Sequence, residues 1–187
     1  MRHIVLGLAA LCLSACGQVQ QAAAPAGCAR SATHQVEWSR AGGQDVITTS
    51  SQGPSCAQAV VTFVVRNADG DPLWAFASTY FDMRFGGIPA EGAPAVSDAE
   101  MDEFLRGWSQ VTLQHTGELP EWRADAATLS ESATTFAYDT PFDREVYEMM
   151  RSRNLPMICY AAAVEGSQCL IIDPANNAPS KMVAFGP

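Results

Sequence analysis

The chain reads VVTFVVRNADGDPLWAFASTYF over residues 60–81, and this stretch is the strongest structural indication in the sequence. A run rich in valine leads into Asp69-Gly70, a dipeptide that favours a two-residue hairpin turn between two strands, predicted at 60–66 and 73–81. Such a turn would place Val65 opposite Trp74 and Phe63 opposite Phe76. We expect these pairs to share a core face. The other face carries small, mostly apolar side chains, so both faces are expected to be covered.

Further elements are predicted on both sides of this hairpin. Strands are expected at 34–39 and 46–50 from their alternation and β-branched residues. The stretch 84–96 is rich in glycine, proline and alanine and predicts a loop. Ser97 and Glu100 match a capping box, which predicts a helix over 98–114, and helical spacing places Phe104 and Trp108 on its apolar face. The remaining predicted elements are a second helix that Thr140 caps, with Pro141 in its first position, and strands at 134–138, 157–164, 169–173 and 181–185.

This order of strands, then helices, then strands predicts the α+β class. We expect residues 28–187 to form a single domain, in which one antiparallel sheet of about five to seven strands carries two amphipathic helices. The closing helix, hairpin and Asp-Pro-Ala-Asn-Asn turn at 173–177 resemble PepSY-type periplasmic modules.

The charge balance of the chain is strongly acidic. Its 187 residues include 20 Asp plus Glu and 11 Lys plus Arg, a formal net charge of -9, and 48% are hydrophobic. This composition is typical of a globular protein. Basic residues form no run, which excludes the electrostatic footprint of a nucleic-acid partner and favours a cationic one.

The first residues predict export and a lipid anchor. Residues 1–15 combine a short cationic start with an apolar run too short to span a bilayer, as a signal peptide does. The end of this run, Leu13-Ser14-Ala15-Cys16, resembles the lipobox of bacterial lipoproteins. The resemblance implies that Cys16 carries diacylglycerol and palmitate-like acyl chains. Gly17 in place of aspartate then implies an outer-membrane location facing the periplasm. Residues 16–27 are expected to form the lipidated N-terminus and a flexible tether.

Four cysteines remain in the mature chain, and in an oxidising compartment they predict two disulfides. Short sequence separation favours Cys28 with Cys56 and Cys159 with Cys169. A tight turn at Gly166-Ser167 would place Cys159 and Cys169 too far apart for a bond. Either the connection is a wider loop or the bridges cross between the two halves of the chain. We expect the sequential pairing.

Residues with catalytic or metal-binding potential are few. His115 and Glu118 stand three positions apart and could form half of an acid/base or zinc site, although a surface histidine is the simpler interpretation. No two cysteines have zinc-ligand spacing, so no metal site is predicted. Residues 67–71 look like the start of a calcium loop, but Phe76 stands where the closing glutamate belongs, which favours a solvated turn.

These observations favour a lipid-anchored, non-enzymatic binding or accessory module that needs no cofactor and has no catalytic residues. Its acidic surface and the 84–96 loop would contact a cationic cell-envelope protein, while the N-terminal lipid would contact the membrane. Two alternatives stay open at this point. One is a periplasmic hydrolase that uses His115 with an acidic partner, and the other is a purely structural envelope lipoprotein.

Overall fold

A computed structural model describes residues 27–39, 42–87, 94–133 and 135–187, and the predicted α+β class is confirmed. The strands in this part of the chain are β1 (Cys28–Val36), β2 (Asp45–Gly53), β3 (Val60–Arg66), β4 (Pro72–Thr79), β5 (Thr112–His115), β6 (Ala137–Asp139), β7 (Pro156–Ala161), β8 (Ser167–Asp173) and β9 (Ala178–Gly186). The helices are α1 (Tyr80–Phe85), α2 (Asp98–Ser109), α3 (Leu129–Ser132) and α4 (Arg144–Ser152). The strands divide between two antiparallel sheets, whereas the sequence predicted a single sheet.

The first sheet is a four-stranded meander in the order β1-β2-β3-β4. Val65 pairs with Trp74 and Phe63 pairs with Phe76, as predicted. The two-residue turn is wrong, because the register shifts after Val65, Arg66 pairs with Pro72, and residues 67–71 form a longer turn. The prediction that both hairpin faces are covered is wrong. Val60 on the outer face is 47% exposed, because the core of the molecule forms on the opposite face of this sheet.

Strand β4 ends earlier than predicted because its last residue caps a helix. The Thr79 side chain accepts a hydrogen bond from the Asp82 backbone N–H, and α1 begins at Tyr80. The helix ends at Phe85, and the φ of 71° at its C-cap, Gly86, lies in the left-handed region that favours glycine. Tyr80 and Phe81, predicted to end the strand, are therefore buried on a helix.

Helix α2 begins with the predicted capping box, in which Ser97 and Glu100 exchange hydrogen bonds. It ends at Ser109 and does not extend to residue 114. Gln110 is already extended, and Thr112–His115 pair instead with β7 as an edge strand of the second sheet. On its other side α2 is joined to β1, because the guanidinium of Arg30 donates to both carboxylate oxygens of Asp102.

The second sheet has the strand order β5-β7-β8-β9-β6, with α4 packed on its outer face. The N-cap of α4 is Asp143, whose carboxylate accepts from the Val146 N–H at 2.9 Å. Thr140, predicted as the cap, instead donates its hydroxyl hydrogen to the Met182 carbonyl at 2.8 Å.

Both disulfides form the sequential pairs, Cys28–Cys56 and Cys159–Cys169. Cys159 lies directly opposite Cys169 on the neighbouring strand, with a Cα–Cα distance of 4.1 Å. The tight Gly166-Ser167 turn is wrong. Ala161 pairs with Ser167, so a wider loop over 162–166 joins β7 to β8 and brings the two cysteines into register.

The two sheets meet through aromatic side chains. The ring of Phe63 in β3 stacks on that of Tyr160 in β7, with 4.5 Å between centroids, and also contacts Trp108 of α2. The Tyr160 hydroxyl accepts from Trp74 Nε1 and donates to Gln168 Oε1, both at 3.0 Å. These contacts tie the first sheet, α2 and the second sheet into one hydrophobic core.

The predicted signal peptide, Cys16 and almost all of the tether lie outside the described residues. Among the helices of the described ranges, none is long and apolar enough to cross a membrane.

Candidate functional site

A groove of about 590 Å³ lies where α1, α2 and the loop between β7 and β8 meet. Its lining combines aromatic, small and charged side chains. These residues are Tyr80, Met83, Arg84, Glu100, Glu103, Phe104, Gly107, Trp108, Ala161, Ala163 and Val164.

The aromatic rings of the groove are held by contacts between its walls. Tyr80 of α1 meets Phe104 of α2 edge-to-face, with 5.1 Å between ring centroids. Phe104 stacks on Trp108 one helical turn further along, at 5.5 Å. Trp108 Nε1 donates to the Ala161 carbonyl at 2.7 Å, which fixes α2 against the end of β7. The groove therefore has an ordered aromatic base.

Its charged side chains differ in how they are held. Glu100 accepts from the Ser97 backbone N–H at 2.8 Å and from the Ser97 hydroxyl at 2.7 Å. These hydrogen bonds, the backbone one foremost, lower the pKa of Glu100, so its carboxylate is ionised at neutral pH. Within the described residues, Glu103 and Arg84 have no hydrogen-bond or ion-pair partner, so both are available to a ligand.

Exposed apolar side chains extend the groove at its lip. Phe85 is 60% exposed and packs on Phe81, while Val164 in the β7–β8 loop is 48% exposed. The two sides of the lip are close, since a β-carbon placed on Gly86 would lie 3.4 Å from Val164 Cγ1. Apolar surface at this end of the molecule is thus continuous with the groove.

The sequence-predicted candidates do not join this site. His115 Nδ1 lies 3.6 Å from Glu118 Oε1, but both side chains are at least half exposed and neither lines the groove. In the described ranges, no three His, Cys, Asp or Glu residues come close enough together to hold a metal ion. Residues 67–71 form a turn in which Asn67 Oδ1 accepts from the N–H groups of Asp69 and Asp71.

The predicted 84–96 loop is only partly described. Arg84 belongs to α1 and lines the groove, whereas residues 88–93 lie outside the described ranges. The other lining residues were not predicted as a site, because helical spacing assigned Phe104 and Trp108 simply to a core face. The unusual feature of the sequence that could have marked them is Gly107 inside an otherwise well-formed amphipathic helix.

Comparison with known proteins finds no matching family model, no similar curated protein and no similar solved structure. The resemblances to lipoproteins and to PepSY-type modules therefore stay predictions, and the geometry of the groove is the basis for a functional proposal.

Proposed function

We propose that this protein is a lipid-anchored lipoprotein of the cell envelope that binds a cationic partner protein through the groove. Acylation at Cys16 would hold it at the membrane, in an outer-membrane location facing the periplasm. The folded part would act as a binding or accessory module.

The observation that carries this proposal is the aromatic-based groove edged by two exposed carboxylates, Glu103 without a partner among the described residues and Glu100 bonded to Ser97. Apolar contact in such a groove supplies affinity, and aromatic side chains are typical of the centres of binding sites. Glu100 and Glu103 would select basic residues by charge complementarity, which acts mainly on specificity and association rate. The excess of acidic residues over the whole chain has the same sign, so long-range attraction would favour the same class of partner.

Arg84 makes the groove asymmetric. It belongs to α1, while both glutamates belong to α2. A cationic segment would be attracted to the α2 side and repelled from the α1 side. Substitutions on the two sides should therefore change the affinity in opposite directions.

A lysine-rich synthetic peptide tests this proposal. Glu103→Gln should weaken its binding by about two- to fivefold, as expected for an exposed ion pair, and Arg84→Gln should strengthen it. Raising the salt concentration should reduce these differences by screening. Fluorescence anisotropy with a labelled peptide measures each dissociation constant.

Glu145→Gln is the matched control, because Glu145 is an exposed helical carboxylate on α4 and does not line the groove. It removes the same charge from the molecule as Glu103→Gln. Two outcomes would refute the groove as the binding site of the cationic peptide. One is an equal effect of the two glutamate variants, and the other is a dissociation constant that does not change with salt concentration.

A further inference from the structure

Gly107 is unusual for its position in the fold. It lies inside α2, where glycine disfavours a helix relative to alanine. Among the described residues, no atom beyond its chain neighbours and its own helix backbone lies within 4 Å of the position that a β-carbon on Gly107 would occupy. Its φ is not positive either, unlike those of Gly42, Gly70 and Gly86. Neither packing nor backbone conformation in the described chain therefore accounts for glycine here.

The position of Gly107 in the groove provides a reason. It precedes Trp108 and lies one turn after Phe104, and small residues of the β7–β8 region, Ala161 and Ala163, line the same groove. The missing side chain leaves the α2 backbone open to close approach beside the two rings. The volume of about 590 Å³ falls within the range of sites that hold drug-sized molecules, so an indole or phenyl ring fits.

We infer that the groove receives one aromatic anchor residue of a basic peptide segment, packed against Gly107 and the rings of Phe104 and Trp108. This inference rests on the proposed function, which is the binding of a cationic partner. It adds that the partner must present an aromatic side chain to the groove. Lysine or arginine residues next to the anchor would pair with Glu103 and Glu100.

Two observations favour a segment of a protein over a small free molecule. Phe85 continues the apolar surface beyond Val164 at the edge of the groove, so a ligand confined to the groove would leave Phe85 exposed. The carboxylates lie one helical turn apart on α2, which suits more than one basic residue along a chain. In protein interfaces, a central aromatic residue surrounded by polar or charged residues also commonly contributes much of the binding energy.

The test uses two short peptides of lysine and serine that are identical except for one central residue, tryptophan or alanine. With the wild-type protein, the tryptophan peptide should bind about tenfold more tightly or better, because a large ring leaves water. Gly107→Leu should abolish that preference, since its side chain would occupy the place of the anchor ring beside the α2 backbone. Gly107→Ala should reduce the preference while leaving the melting temperature unchanged or higher, so lost binding would not reflect lost folding.

Ser152→Leu is the matched control, because it adds the same side chain to an exposed helical position on α4, away from the groove. It should keep the tryptophan preference intact. If both peptides bind wild type equally and Glu103→Gln weakens both, the anchor is refuted while the cationic-partner function stands. Persistence of the tryptophan preference in Gly107→Leu would also refute the anchor. If neither peptide binds at low salt, the proposed function fails as well.

Discussion

The Tyr160 hydroxyl lies between the two sheets and has a partner on each. It accepts a hydrogen bond from Trp74 of β4 and donates one to Gln168 of β8, while its ring stacks on Phe63. Burial raises the pKa of Tyr160, because the phenolate would lose its hydration. A neutral hydroxyl at this point is therefore part of how the sheets are held together.

Tyr160→Phe should lower the free energy of unfolding at neutral pH by about 1–3 kcal/mol, since it removes two hydrogen bonds, to the half-buried Trp74 and Gln168. The folded-state pKa is raised above the unfolded value of about 10. The stabilisation is thus complete below that pH and is lost as pH rises through the folded-state pKa. Urea titrations on both sides of pH 10 measure this loss, which should be smaller in the variant. An equal decline in both proteins would contradict the assignment.

At the scale of the elements, the two disulfides differ in the elements that they join and in the length of chain that they close. Cys28–Cys56 ties the first residue of β1 to the connection between β2 and β3, with a sequence separation of 28. Cys159–Cys169 joins β7 to β8, which are already paired, with a separation of 10. The first bridge therefore closes the longer loop of the unfolded chain.

Loop closure predicts that the Cys28–Cys56 bridge stabilises the fold by about 3.5 kcal/mol and the Cys159–Cys169 bridge by about 2.5 kcal/mol. Replacing each pair by alanine should show this order in urea unfolding, with reduced wild type falling below both. Alanine is the suitable replacement because all four cysteines are buried. A larger loss from the Cys159–Cys169 pair would show that packing around these residues outweighs chain entropy.

At the scale of the whole molecule, the proposed anchor and the proposed binding site are separate in the chain. The anchor would be at Cys16, while the groove is assembled from residues between Tyr80 and Val164. The described strands begin at Cys28, so residues 16–27 would connect the two functions.

Cys16→Ser should move the protein from the membrane fraction to the soluble fraction, because burial of each acyl CH₂ contributes about 0.8 kcal/mol to anchoring. The melting temperature of the folded part should not change, since Cys16 forms neither disulfide. Fractionation with a high-salt wash, together with a palmitate-analogue label, measures the outcome. Retention of the variant in the washed membranes would contradict the lipid anchor.

Local chemistry explains which features could be predicted from residues alone. Asp69-Gly70 located the hairpin and the facing pairs of β3 and β4, and Ser97 with Glu100 located the start of α2. Both depend on residues close together in the chain, so local conformational preference is sufficient. The pairing of the cysteines also followed from short separation, and the order of the elements indicated the α+β class.

The features that required the folded chain depend on distant residues. Thr112–His115 leave the helix that precedes them because β7 supplies their hydrogen bonds, and β7 begins more than forty residues after Thr112. The division of the strands between two sheets and the covering of only one hairpin face follow from such long-range pairings. The groove has the same origin, since α1, α2 and the β7–β8 loop come from separate parts of the chain. Periodicity reports that a side chain is apolar, but tertiary packing determines whether it fills a core or lines a binding site.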